Sequence, residues 1–257
     1  MDDRICPGQY VRIVFEGGKT SIQRAGKDSI HTHRGYVKLD EGPRFGQAVT
    51  TNIGRRIVLL RPVLSDYLQV ISRRTQILYP KELGYLALSL GLGPGLNVLD
   101  AGTGSGASAA LLANFVRPTG HVLSVDTEKR SLDIAAENLR MLGLESVVEL
   151  RLGDVSAGIE ESETFDAAVM DLPEPWEAVR SYHNALRPSA RVVSVVPTYN
   201  QLERTVESFE GNGFTVLEVV DITSQGIRVK KGAVRPMPLA RAHNAFLVVA
   251  AKTVPKG

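Results

Sequence analysis

Cysteine is almost absent from this 257-residue chain, in which Cys6 is the only one. A single cysteine excludes an internal disulfide and any zinc site built from several cysteines. Long apolar runs are also missing, and the N-terminal Met-Asp-Asp-Arg is polar, so we expect neither a membrane span nor a signal peptide. These absences predict a cytoplasmic protein with no membrane partner.

Histidine is scarce as well, with five in the chain. His31 and His33 would share one face of a strand, but no third ligand accompanies them. A pair of surface side chains is the better interpretation, and we expect no bound metal.

Acidic residues are missing from the C-terminal stretch, which contains no Asp or Glu from Ile222 onward. Between residues 43 and 80, Asp66 is the only acid. The basic residues of these stretches are Arg228, Lys230, Lys231, Arg235, Arg241, Lys252 and Lys256, and Arg44, Arg55, Arg56, Arg61, Arg73 and Arg74. With a net charge of only +2, charge alone slightly favours two solvated basic faces over a surface for a polyanion.

The most informative motif is a glycine loop at residues 97–106, Asn-Val-Leu-Asp-Ala-Gly-Thr-Gly-Ser-Gly. An apolar run that enters such a loop is typical of a Rossmann-like sheet, where a ligand lies against the backbone at the start of the next helix. We expect an adenosyl cofactor to be bound by Gly102, Thr103, Gly104, Ser105 and Gly106.

Two acids help to choose between a nicotinamide dinucleotide and S-adenosylmethionine. The carboxylate of Asp100, two residues before Gly102, is expected to point into the loop, where it would repel a pyrophosphate but attract a sulfonium. Asp126, twenty residues after Gly106, can accept hydrogen bonds from the ribose hydroxyls of either cofactor. The prediction of S-adenosylmethionine therefore depends on Asp100.

The alternation of strand and helix patterns after residue 80 predicts an α/β fold, a Rossmann-like parallel sheet with helices on both faces. With S-adenosylmethionine as the cofactor, the sheet would be of the class I methyltransferase type. Its predicted elements include a helix over 177–186 and a strand over 192–196. No long helix separates the last two strands, 215–221 and 245–250, as expected for the antiparallel hairpin that ends such sheets. Short runs between glycine turns predict a small N-terminal β domain over 1–64. A linker over 65–75 and a methyltransferase domain over 76–257 complete the predicted organisation.

Two further acids stand at predicted strand ends. Asp154 alone would indicate a turn or a helix cap, but beside the glycine loop a contact with the adenine amine is the better interpretation. Asp171 precedes Pro173 and Pro175, which remove amide donors and leave an edge rich in acceptors. That edge suits a substrate with an exocyclic amine, such as adenine. Trp176 could stack on a base, although packing is the commoner role of a lone tryptophan.

Four segments together resemble the tRNA adenine-N1 methyltransferases that modify the T-loop at position 58 and, in archaea, also at position 57. They are Arg74-Thr-Gln-Ile-Leu-Tyr-Pro-Lys-Glu82, Asp100-Ala-Gly-Thr-Gly-Ser-Gly106, Asp171-Leu-Pro-Glu-Pro-Trp176 and Ala242-His-Asn-Ala-Phe-Leu-Val-Val-Ala250. The resemblance extends over nearly the whole chain. It implies a homotetramer that uses S-adenosylmethionine on tRNA. It also implies that Asp171 and Tyr79 act in catalysis and that Gln76 and Asp171 contact the cofactor.

The chain departs from the family pattern at three places. Asp100 and Asp126 stand where many members have Glu. The segment Val195-Val-Pro-Thr-Tyr-Asn lacks the aromatic residue that some bacterial members carry just before the proline, although Tyr199 is close by.

Two other functions stay open. A class I methyltransferase that acts on a small molecule or a protein carboxylate would share the glycine loop, Asp126 and Asp154. A catalytically silent tRNA-binding paralogue would be expected to lose the glycine loop, which this chain retains. A dehydrogenase is opposed by Asp100.

Overall fold

The structure, a computed structural model, describes residues 3–72, 77–230, 232–237 and 243–254. The chain divides into two compact units, Met1–Ile71 and Ser72–Gly257. The division falls within the segment predicted as a linker, but the first residues of that segment belong to a short helix, α1 (Leu64–Tyr67). Asp66 holds this helix, because its carboxylate accepts the Val63 amide at 3.0 Å and pairs with the Arg12 guanidinium.

Six short strands form the first unit. They are β1 (Tyr10–Phe15), β2 (Thr20–Arg24), β3 (Ser29–Thr32), β4 (Gly35–Lys38), β5 (Ala48–Thr50) and β6 (Arg56–Leu60). The order β2-β1-β6-β5 makes an antiparallel sheet, and β3 pairs with β4 in a separate hairpin. Period-two alternation in β1 buries Val11, Ile13 and Phe15 against Ile57 and Leu59 of β6.

The second unit is an alternation of strands and helices. Its helices are α2 (Pro80–Ser89), α3 (Ala107–Val116), α4 (Lys129–Leu142), α5 (Pro175–Ala185) and α6 (Tyr199–Gly211). Its strands are β7 (Asn97–Ala101), β8 (His121–Asp126), β9 (Val148–Leu152), β10 (Phe165–Met170), β11 (Leu186–Val196), β12 (Phe214–Asp221), β13 (Ile227–Lys230), β14 (Ala233–Pro236) and β15 (Phe246–Lys252).

Seven of these strands make one sheet in the order β12-β15-β11-β10-β7-β8-β9. β15 runs antiparallel to both of its neighbours, β11 and β12, so the predicted antiparallel ending is confirmed. Consecutive residues of β7, β8 and β10 are buried, which requires cover on both faces of the sheet. The predicted fold class is confirmed.

The strand order creates a crevice beside β7. The chain passes from β7 to β8 and β9 on one side and then returns to β10 on the other. At such a reversal the connections leave the strand ends in opposite directions, and ligands of open α/β sheets bind there. Loops that follow β7, β8, β9 and β10 therefore meet at one edge.

Sequence and structure differ at two places in this unit. The predicted helix over 177–186 ends at Ala185, and β11 begins at Leu186, six residues before the predicted strand. Pro188 explains the early end, because the residue before a proline is disfavoured in a helix. The hairpin of β13 and β14 was not predicted, although Ile-Arg-Val-Lys alternates as a strand does. Within the described residues, no helix is long and apolar enough to cross a bilayer.

Candidate active site

A pocket of about 560 Å³ opens at the crevice, among residues that follow β7, β8, β9, β10 and β11. Six acids line it, and none of its described lining residues is Lys, Arg or His. The acids are Asp126, Glu128, Asp154, Asp171, Glu174 and Glu177. This charge attracts a cation and repels phosphate, so the site fits a sulfonium cofactor better than a dinucleotide.

The glycine loop joins β7 to α3 at the floor of this pocket. Gly102 has a φ of +86°, and a Cβ added there would lie 1.9 Å from the carbonyl oxygen of Asp171. Gly106 has a φ of +79°, and its added Cβ would lie 3.1 Å from the Cβ of Ala135. The first glycine thus lets the loop touch the end of β10, and the last lets α3 approach α4.

Asp126, at the end of β8, holds the glycine loop in place through hydrogen bonds. Its Oδ2 accepts the Gly104 amide at 2.9 Å, and its Oδ1 accepts the Glu128 amide at 2.8 Å. Each carboxylate oxygen has a second lone pair, and the residue lines the pocket. The geometry leaves room for the predicted ribose contact while also giving Asp126 a structural task.

Asp154 forms the predicted turn and also lies where the predicted cofactor contact requires it. Its Oδ1 accepts the amide and hydroxyl of Ser156 at 2.9 and 2.7 Å, which is the predicted turn. These bonds, the hydroxyl's first, lower the pKa of Asp154 below its usual value. The side chain is exposed and lines the pocket, so a cofactor contact is compatible with the turn.

Asp100 lies beneath the loop and does not line the pocket. The sequence-based expectation that its carboxylate points into the loop opening is therefore corrected. Ser124 donates to Oδ2 at 2.6 Å and lies 2.7 Å from the Thr103 hydroxyl, whereas Oδ1 has no hydrogen-bond partner among the described residues. The residue is wholly buried because β7 is covered on both faces.

Burial raises the pKa of Asp100 to about 6. The hydroxyls of Ser124 and Ser108 oppose the rise, and the charge of Asp126 adds to it. The Ser108 hydroxyl is close enough to lower this pKa, although it does not meet the geometry of a hydrogen bond to Oδ1.

Asp171 follows β10 directly and is partly buried at the pocket wall. Its amide donates to the Ala101 carbonyl at 3.0 Å, which continues the pairing of β10 with β7 past the strand end. Burial, and then the charge of Asp100, raise the pKa of Asp171 to about 7. A carboxyl group with this pKa in a cleft is a candidate for function.

The prolines after Asp171 help to shape the rim. Pro173 lines the pocket, and its carbonyl accepts a hydrogen bond from Gln201 Nε2 at 2.9 Å. Pro175 begins α5. Trp176 packs, because the Arg204 guanidinium lies 4.2 Å from its ring centre.

The remaining predicted residues occupy different places. Ser105 is buried, and its carbonyl accepts a hydrogen bond from Asn138 of α4 at 2.9 Å. Tyr79 is partly buried at the start of α2, where its amide donates to Glu82 Oε2 at 3.0 Å, and it is outside the pocket lining. Gln76 falls outside the described residues, so its predicted cofactor contact stays a prediction.

The structure revises one basic stretch. Lys252 is buried, with bonds to the Leu186 carbonyl at 2.7 Å and to Glu163 at 3.1 Å, so it does not belong to a basic face. Arg228, Lys230 and Arg235 are exposed on β13 and β14. Lys231, Arg241, Lys256, Arg73 and Arg74 fall outside the described residues.

A family model described as tRNA methyltransferase complex GCD14 subunit matches residues 57–251, well over half of the chain. The chain belongs to this family. The tRNA (adenine(57)-N(1)/adenine(58)-N(1))-methyltransferase TrmI of Methanocaldococcus jannaschii is 28% identical over 267 aligned residues, which cover 94% of each chain.

Two solved structures are similar over almost their full lengths. The tRNA (m1A58) methyltransferase TrmI of Aquifex aeolicus has a TM-score of 0.86 at 31% identity and covers 98% of this chain and 100% of that one. A SAM-dependent O-methyltransferase of Thermotoga maritima has a TM-score of 0.91 at 30% identity, with 99% and 97% covered. The predicted family and the S-adenosylmethionine cofactor are confirmed.

Several residues that line the pocket were not predicted from the sequence. Glu128, Glu174, Glu177 and Gln201 line the pocket, yet none was a candidate. Glu174 stands inside the Asp-Leu-Pro-Glu-Pro-Trp motif, which already indicated it. Gln201 follows β11 by five residues, and the rule that ligands gather after parallel strands would have included it.

Proposed function

We propose that this chain transfers the methyl group of S-adenosylmethionine to N1 of adenosine 58 in the T-loop of tRNA, in the cytoplasm, with adenosine 57 as a second target. The observation that carries the proposal is the partly buried carboxyl group of Asp171 in an acid-lined pocket. This arrangement belongs to a family whose relatives are named for that reaction.

The reaction requires correct orientation of the adenine base more than removal of a proton from it. When bound, the cofactor supplies an electrophilic methyl group for in-line displacement. Adenine N1 has a lone pair in the ring plane, so the site has to hold N1 in line with the breaking bond. Ionised Asp171 accepts a hydrogen bond from the N6 amine and stabilises the positive charge that moves onto the adenine ring.

The other site residues take binding roles in this proposal. Asp126 accepts hydrogen bonds from the ribose hydroxyls, and Asp154 accepts one from the cofactor's adenine amine. The glycine loop holds the methionine end of the cofactor beneath these two contacts. Tyr79 and Gln76 keep the roles that the family resemblance implies.

The tRNA must present a flipped-out base, because the pocket admits no duplex. An acid-lined pocket repels phosphates, so the nucleic-acid backbone has to be held elsewhere. Exposed cations are available on β13 and β14 and, in the first unit, at Arg44, Arg55, Arg56 and Arg61. We assign these cations to the phosphates of tRNA.

We further propose that the chain assembles as a homotetramer. The hairpin of β13 and β14 supports self-association, since Ile227, Val229 and Val234 are 53%, 72% and 67% exposed. Val229 and Val234 are cross-strand partners and share a face with Ile227, opposite Arg228 and Arg235. An amphipathic hairpin of this kind needs a partner for its apolar face.

One experiment tests the acceptor. The purified protein is incubated with labelled S-adenosylmethionine and unmodified tRNA, the nucleoside is identified by mass spectrometry, and its position is mapped by primer extension. We expect 1-methyladenosine at position 58. Label in any nucleoside other than adenosines 58 and 57, or transfer that survives in Asp171→Ala at the wild-type rate, contradicts the proposal.

A second candidate is methylation of a hydroxyl or carboxylate group. The similarity to a SAM-dependent O-methyltransferase favours it, as does the raised pKa of Asp171, which suits a general base for a hydroxyl. It predicts a methyl ether or ester as product and no transfer to tRNA. A silent paralogue predicts no binding of S-adenosylmethionine in an equilibrium titration.

A further inference from the structure

Asp100 and Asp171 stand at the ends of neighbouring strands with their backbones in contact. The amide of Asp171 donates to Ala101, the residue after Asp100, and Val169 pairs with Asp100 in the sheet register. A Cβ on Gly102 would lie 3.5 Å from the Cβ of Asp171. The loop glycine therefore keeps two acids of adjacent strands close together.

The charged groups around this pair are acids. Asp126 faces it from β8, while Glu174 and Glu177 come from the start of α5, and no basic residue lines the described pocket. The Tyr182 hydroxyl of α5 donates to the Val169 carbonyl at 2.9 Å, and burial, followed by the charge of Asp100, raises the pKa of Tyr182. Arg180 and His183 of α5 and His121 of β8 do not line the described pocket, where no cation offsets two negative charges.

The partners of Asp100 satisfy only part of its carboxyl group. Ser124 donates a hydrogen bond to Oδ2, but Oδ1 is buried and has no hydrogen-bond partner among the described residues. A buried anionic oxygen without a donor is costly, and a proton removes the buried charge. The raised pKa values, about 6 for Asp100 and about 7 for Asp171, agree with this geometry.

We propose that Asp100 and Asp171 hold one proton between them in the free protein and lose it to solvent when S-adenosylmethionine binds. The sulfonium is the cation that the site lacks, so its arrival allows both carboxyl groups to ionise. Asp171 is thereby set in the ionised form that accepts the N6 amine. The inference rests on the confirmed cofactor and is independent of the tRNA acceptor.

The product should behave differently. S-adenosylhomocysteine has a neutral sulfur, so the pair takes its proton back after transfer. Affinity for S-adenosylmethionine should rise with pH between about 5.5 and 7.5 by up to tenfold per pH unit, because proton release accompanies binding. Affinity for S-adenosylhomocysteine should rise less, and the ratio of the two affinities should grow with pH.

Calorimetry in two buffers tests the proton release. Binding heats are measured near pH 6.5 in phosphate and in imidazole, whose ionisation enthalpies differ, for both ligands and without tRNA. We expect about one more proton released with S-adenosylmethionine than with S-adenosylhomocysteine. At this pH the amino group of each ligand is almost fully protonated in solution, so its titration adds little to the difference. Equal proton release for the two ligands would overturn the proposal.

Variants locate the proton. Asp100→Asn should abolish the extra release, whereas Asp133→Asn, an exposed acid outside the pocket lining, should keep it. If Asp100→Asn fails to fold, infrared difference spectra of the wild-type protein serve instead, with loss of a protonated carboxyl band on cofactor binding as the expected result. An unchanged band, or equal losses in both variants, would contradict the assignment. A positive result with no tRNA methylation would leave this inference standing while the proposed acceptor fails.

Discussion

Among single residues, Asp171 has the most specific of the proposed roles, and its loss should separate chemistry from binding. Asp171→Ala removes the acceptor for the N6 amine and the negative charge opposite the developing cation, so kcat on tRNA should fall ~10²-fold or more. At pH 8 the Kd for S-adenosylmethionine, measured by titration, should change far less. Glu174→Gln removes another lining acid as a control. A kcat for Asp171→Ala close to that of Glu174→Gln would exclude the role.

Gly102 is the residue whose size matters most. Gly102→Ala would bring its methyl group against the Asp171 carbonyl in a conformation that L-residues rarely adopt, and should cost about 3 kcal/mol or more of unfolding free energy. Gly143→Ala is the matched control, because its φ is +66° but nothing lies within 4 Å of the added atom. It should cost about 1 kcal/mol. Equal losses in urea unfolding would show that the close approach to Asp171 is unimportant.

At the scale of elements, the sheet was predictable because apolar runs, glycine loop and helix patterns alternate in an order that few topologies satisfy. The positions of acids after β8, β9 and β10 followed from the same alternation. Residue 100 was harder, since the sequence shows an acid before a loop but not that helices cover both sides of β7. The hydrophobic period and the loop lengths predict at which edge of the sheet a residue lies. Its burial depends on the helices that pack over the strand, which the local sequence does not show.

His243 links the ends of two strands of the sheet. Its Nδ1 faces Asp221 at the end of β12 at 3.0 Å, and its Nε2 faces the Pro197 carbonyl after β11 at 3.0 Å. Neither acceptor can donate, so both ring nitrogens must carry protons. The Pro197 carbonyl first, and then Asp221, raise the pKa of His243.

The stabilisation by His243 should therefore depend on pH. The contribution is complete below the unfolded pKa of about 6.5 and disappears as pH rises through the higher folded value. The difference in Tm between wild type and His243→Gln should be larger at pH 6 than at pH 9, and Asp221→Asn should reduce it. Nuclear magnetic resonance titration of the ring gives the folded pKa directly. A ring pKa at or below 6.5 would exclude the double hydrogen bond.

For the whole molecule, opposite charges are assigned to different surfaces, with acids in the pocket and cations on exposed strands. Binding of tRNA should weaken steeply with salt, because each phosphate contact contributes about 0.9 to the slope of log K against log salt. Arg228→Ala with Arg235→Ala should lower that slope by about 1–2, while Lys129→Ala, from an exposed pair with Asp133, should leave it unchanged. Cofactor affinity should vary little. A tRNA affinity that does not respond to salt would exclude the assigned phosphate contacts.

The apolar face of the β13–β14 hairpin gives the last prediction at this scale. Val229→Lys together with Val234→Lys places two charges on the face that we assign to subunit contacts, so the assembly should dissociate. Light scattering at micromolar concentration should show a tetramer for wild type and smaller species for the double variant. Arg228→Glu with Arg235→Glu changes charge on the opposite face of the same hairpin and should leave the mass unchanged. If the lysine variant stays tetrameric, the subunits must meet elsewhere, because a buried apolar hairpin cannot accept two unpaired ammonium groups without a cost that exceeds the gain from its own burial.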